Sequence, residues 1–172
     1  ADTAVVINEF GEVGLDHQLV AKSDDTTVLL NSGCVCCTVR GDLVNTFRDL
    51  FLKRVKGEVP EFQRVVVETT GLADPAPVLH TLMTDPLVAS RFRLDGVITT
   101  VDAVNGASTL DNHMESVKQA AVADRLVVTK SDIASPEAIE TIAARLKRLN
   151  PAAPQIQTRQ GAVAAAQLFN AG

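Results

Sequence analysis

The sequence predicts an α/β fold: a mostly parallel sheet flanked by helices. Three observations point there. Short β-branched runs alternate with stretches of helical apolar spacing along most of the chain. Val65-Val66-Val67 is continuous rather than alternating, the pattern of a parallel strand covered on both faces. Polar stretches follow these runs directly, and open α/β sheets bind ligands at the carboxyl ends of their strands.

Ala4-Val5-Val6-Ile7 reads as the first strand, running into the loop Asn8-Glu9-Phe10-Gly11-Glu12-Val13-Gly14-Leu15-Asp16. Thr27 to Asn31 is a second strand that delivers the chain to Ser32-Gly33 and three cysteines. From Asp42 to about Lys56 the residues Leu43, Phe47, Leu50, Phe51 and Val55 follow helical spacing, and Gly57 to Pro60 ends that helix. Val65 to Thr70 is the strongest strand and leads into Gly71-Leu72-Ala73-Asp74-Pro75, with a helix expected from Pro77 to about Met83. Further strands are expected at Gly96–Val101, ending at Asp102, and at Arg125–Val128, with a helix around Glu115–Ala123 between them. Ser135-Pro136-Glu137 has the form of an N-cap, a first-turn Pro and an acidic first turn. The helix it starts runs to about Leu149, where Asn150-Pro151 stops it. Gln155 to Thr158 is a weaker last strand, and a short Ala-rich helix closes the chain.

Composition narrows the function. With 172 residues, 46 % of them hydrophobic, the chain can build a real core. No Trp or Tyr is present, so that core is aliphatic. The formal net charge is −5 and no basic run exceeds a pair, which argues against a nucleic-acid surface or a polybasic membrane patch. Apolar runs are too short to span a bilayer. Clustered cysteines without a secretory signal fit a reducing, cytoplasmic compartment rather than a disulfide framework.

Gly33-Cys34-Val35-Cys36-Cys37-Thr38 holds all three cysteines. Thiolates this close make a soft-metal site or a redox site, and a tetrahedral metal would need at least one further ligand. Cys34 and Cys36 share a side if the segment is extended, with Cys37 opposite. A Cys34-x-x-Cys37 redox dithiol stays open, as does plain burial. His17, His80 and His113 are not assigned as ligands. Glu68 stands at the tip of a hydrophobic strand with Gly71 three residues on. In nucleotide hydrolases such an acid supports the magnesium shell, and the glycine backbone meets the terminal phosphate. Thr129-Lys130-Ser131-Asp132 follows another hydrophobic strand. An Asp there suits the paired N–H donors of guanine, which adenine lacks, while a helix-capping Asp is the plainer alternative.

In that order the stretches resemble the CobW/YjiA-like P-loop GTPases, proteins associated with delivering metals. Asn8 to Asp16 is similar to the family's first switch loop, Cys34-Val35-Cys36-Cys37 to its metal motif, Glu68 to Pro75 to its Walker B and second switch, and Thr129 to Asp132 to its guanine-reading motif. The resemblance covers nearly the whole chain. It implies a P-loop NTPase-like fold of the SIMIBI type and residues 1–172 as a single GTPase-like domain. It also implies departures. Thr129 stands where most GTPases have Asn, and no Gly-x-x-x-x-Gly-Lys-[Ser/Thr] occurs in the sequence. The first strand and P-loop are therefore expected to be missing, together with the smaller C-terminal domain. This chain alone is expected to bind GTP weakly or not at all and to show no measurable turnover.

For the intact protein the resemblance implies a GTPase using GTP and Mg2+ that couples hydrolysis to delivery of Zn2+ or Co2+ to a client protein. Glu68 and Gly71 would serve turnover, and Thr129, Lys130, Asp132 and Gly71 would bind nucleotide. Glu9 or Glu12 would join Cys34, Cys36 and Cys37 at the metal. Homodimerisation is left open. The contrasting reading is a metal-binding or thiol-redox module independent of nucleotide.

Overall fold

β-Branched residues build the first sheet. β1 (Thr3–Asn8) lies between two parallel neighbours, β2 (Leu29–Asn31) and β3 (Arg64–Thr69). The structure is a computed structural model that describes residues 3–8, 29–31 and 39–171. They belong to two compact units, Ala1–Arg93 and Leu94–Gly172.

In the first unit α1 (Val39–Val55) follows β2, and α2 (Pro75–Thr84) and the short α3 (Pro86–Ala89) follow β3. The helical spacing read from the sequence puts Leu43, Phe47 and Leu50 in the core. Leu50 packs with Ala4, Val6 and Phe62, and Leu43 and Phe47 pack with Val78 and Val88. Phe47 meets Phe92 edge-to-face, with centroids 4.9 Å apart. Val65 and Val67 point into these clusters. Val66, on the other face of β3, is 42 % exposed, so the expected burial on both faces holds only for one. Successive side chains alternate faces, and the helices named here pack against the Val65/Val67 side.

The second unit carries β4 (Ile98–Asp102), β5 (Arg125–Thr129) and β6 (Gln155–Gln157), all parallel, in the order β4-β5-β6. Helices α4 (Gly106–Asn112), α5 (Met114–Val122) and α6 (Pro136–Leu149) supply its core with Leu110, Ala120, Ile142 and Leu146, packed on Val101, Leu126 and Val128. Ser135 caps α6 by accepting the Ala138 N–H at 3.2 Å, with Pro136 in the first turn, as its sequence dictates. Asn150 ends α6 and is buried. Its Nδ2 donates to the carbonyls of Ala120, Ala121 and Ala123, and its Oδ1 accepts from Ala153. One side chain thus ties the end of α5 to the turn before β6.

Two helices, α3 and α4, were not expected from the sequence, and α2 starts two residues earlier than expected. The Ala-rich helix expected at the C-terminus is only a single 3-10 turn, Ala165–Gln167, among the described residues. No residue of that turn is buried, so it has no packed face to lengthen it. No helix among the described residues is long and apolar enough to cross a membrane.

Candidate functional site

Register decides what the first sheet brings together. Ile7 of β1 pairs with Asn31 of β2 on one side and with Glu68 of β3 on the other, and Asn8 pairs with Thr69. All three strands run the same way and end on one line. The chain leaves this line towards Glu9 from β1, towards Ser32 from β2 and towards Thr70 from β3. The expected ligands Glu9, Glu12, Cys34, Cys36 and Cys37 lie outside the described residues. Among the described residues no cluster of three or more His, Cys, Asp or Glu side chains is arranged to hold a metal.

Glu68 is exposed at the tip of β3. The chain then turns through Gly71-Leu72, closed by the Ala73 N–H donating to the Thr70 carbonyl at 3.1 Å. Asp74 ends the turn by capping α2, accepting the Ala76 N–H at 3.0 Å ahead of Pro75. A Cβ added at Gly71 would meet nothing within 4 Å among the described residues. Packing against the described residues therefore does not demand glycine there. The Thr70 hydroxyl oxygen is buried and has no hydrogen-bond partner among the described residues. A buried polar atom without a partner is costly, which makes this oxygen notable at a strand tip.

At the tip of β5 the Thr129 hydroxyl donates to the Val101 carbonyl at 3.3 Å, and the Thr129 carbonyl accepts from Ala103 at 2.9 Å. Thr129 thereby links the ends of β4 and β5. Lys130 follows in the left-handed region, at φ 58°, which is strained for a residue with a side chain. Its ammonium contacts Asp102 Oδ2 at 2.8 Å. Ser131 is tied on both sides: its N–H donates to the Thr158 carbonyl and its hydroxyl to the Val128 carbonyl. Asp132 is exposed, and its Oδ1 accepts the Gln160 N–H at 3.2 Å.

Two contributors carry no strong local signal. The sequence marks Asp102 only as a strand end. Its Oδ1 accepts from the Val104 and Asn105 backbone, and its Oδ2 accepts from the Asn105 amide and Lys130. Burial pushes the carboxyl up, but Lys130 and these N–H donors outweigh it and lower the pKa to about 2. The other is the turn at Gln160-Gly161, where both residues have positive φ, 51° and 72°. It carries the N–H that meets Asp132. The glycine was the available signal for that turn.

The sequence model of the CobW/HypB/UreG nucleotide-binding domain matches residues 1–157. The chain belongs to the CobW/HypB/UreG family. It is 38 % identical over 167 residues to the zinc chaperone YjiA of Escherichia coli K12, covering 97 % of this chain and 52 % of that protein. It is 30 % identical over 165 residues to the zinc-regulated GTPase metalloprotein activator 1 of Schizosaccharomyces pombe, covering 92 % and 39 %. The crystal structure of Zn(II)-bound YjiA GTPase from E. coli superposes with a TM-score of 0.75 at 30 % identity, over 99 % of this chain and 52 % of that one. The chain thus spans about half the length of YjiA, and less of the S. pombe protein. Its α/β architecture, parallel sheets flanked by helices, is that of the CobW family's P-loop GTPases.

Proposed function

We propose that this chain is the nucleotide-binding part of a metal-handling GTPase that couples GTP binding and hydrolysis to delivery of zinc or cobalt to a client protein. We take residues 1–172 as one functional domain. The observation that carries the reading is the register of the first sheet. Ile7 pairs with both Asn31 and Glu68, so the chain starts towards the carboxylates Glu9 and Glu12, towards the cysteine motif and towards the Glu68–Gly71 turn from a single rim. Relatives named zinc chaperone and zinc-regulated GTPase support the cargo assignment.

Each side chain has a chemical task in this scheme. Cys34, Cys36 and Cys37 supply soft thiolate donors, and Glu9 or Glu12 adds a carboxylate, a set suited to zinc or cobalt as cargo. Among the described residues nothing lies within 4 Å of where a Cβ at Gly71 would stand, which suits the close approach of a terminal phosphate. Asp132 accepts the paired N–H donors of guanine, and Lys130 lays its stem against the purine. Hard oxygen donors fit Mg2+, and the exposed Glu68 carboxylate and the Thr70 hydroxyl, without a partner among the described residues, are of that kind. When bound, that ion would offset charge on the phosphates.

The test uses the intact protein carrying Ala at Cys34, Cys36 and Cys37 together. The scheme expects zinc stoichiometry to fall while GDP affinity measured by calorimetry stays within about twofold, a change of roughly 0.4 kcal/mol. Unchanged zinc binding would remove the cysteines from the cargo site.

A further inference from the structure

Lys130 meets Asp102 across the ends of two neighbouring strands. Asp102 pairs in register with Thr129, the residue before Lys130, so the Lys130 side chain crosses the rim from the tip of β5 to the tip of β4. About half of that side chain is exposed, whereas the Asp102 side chain is only 24 % exposed. The carboxylate is fixed from behind by Val104 N–H, Asn105 N–H and the Asn105 amide. The lysine backbone is fixed as well, at φ 58°, with its carbonyl accepting from Ile133 and Ala134. Both ends of a flexible four-carbon stem are therefore anchored.

We infer that Asp102 is a positioning residue for nucleotide binding: it holds the Lys130 ammonium so that the aliphatic stem lies ready as the floor for a purine ring. This rests on the base-reading role proposed above for Thr129–Asp132. A free lysine stem would lose rotamer entropy when a base lands on it. Anchoring it beforehand removes that cost from binding. It also turns methylene groups, rather than a hydrated charge, towards the base.

A double-mutant cycle in the intact protein tests it, with GDP and ADP as probes in calorimetry. The variants are Asp102→Asn, Lys130→Met and the pair. Thermal unfolding is followed in parallel. Asp102→Ser is the second variant, because its hydroxyl keeps an acceptor for the Val104 N–H while the ion pair is lost. The expected result is GDP binding weaker by roughly tenfold in each single variant, with the double no weaker than Lys130→Met alone. Asp102→Ser should behave as Asp102→Asn does. A loss at Asp102 that adds fully to the loss at Lys130, or GDP binding unchanged in both Asp102 variants, would overturn the positioning role while leaving the base-reading role intact. A wild-type protein that binds GDP no better than ADP would overturn the base-reading role and the positioning role together.

Discussion

The Asp102 carboxyl gathers donors from three residues: Lys130, Val104 and Asn105. Its pKa falls from 3.8 to about 2 because these contacts favour the charged form more than burial opposes it. A carboxyl with a depressed folded-state pKa stabilises the fold above its unfolded value and loses that contribution as the pH falls through the folded one. The window is therefore about pH 4 down to pH 2. Because the pair is partly exposed, the contribution is on the order of 1 kcal/mol. Urea unfolding at pH 5 and pH 3 should show wild type losing about half of this increment relative to Asp102→Asn, which lacks the titrating group. Parallel loss in both proteins would contradict it. Asp132 is a different case. It is exposed, and its Oδ1 accepts a backbone N–H, from Gln160, among the described residues.

At the level of elements, close approach decides where α4 begins. A Cβ at Gly106 would lie 2.9 Å from Val101 Cγ1 and 3.3 Å from Ile142 Cδ1. Gly106 therefore lets α4 press onto β4 and α6 immediately after the Asp102–Asn105 turn. Gly106→Val should destabilise the protein by about 1–3 kcal/mol through overpacking, measured by denaturant midpoint. A neutral result would mean that α4 shifts freely. This helix also shows what local sequence hides. Glycine is a poor helix former by itself, and the close approach of Ile142 that makes Gly106 useful comes from 36 positions away. The strands Thr3–Asn8, Arg64–Thr69 and Arg125–Thr129 were legible because β-branched runs mark a parallel sheet by themselves. The α6 start was legible because Ser135-Pro136-Glu137 is a local signal. Asp102 and Gln160 were not, since each acquires its role from a partner 28 residues away. Of the candidate site, the strand-tip positions of Glu68 and Thr129–Asp132 were readable in advance, whereas the hydrogen bonds around them were not.

At the scale of the whole protein the proposed function is a linkage between nucleotide and metal. The first sheet ends its three strands on one line, and the sequence continues from it to Glu9, to Ser32 and to Thr70, the starts of the proposed site's loops. If nucleotide orders one of these loops, the metal affinity of its neighbours must change, and the metal must alter nucleotide affinity by the same factor. The most direct measurement is zinc affinity of the intact protein, by competition with a chromophoric chelator, in the presence of a non-hydrolysable GTP analogue and of GDP. Zinc should bind at least about fivefold more tightly in the GTP-analogue state. Equal affinities in the two nucleotide states would contradict the coupling.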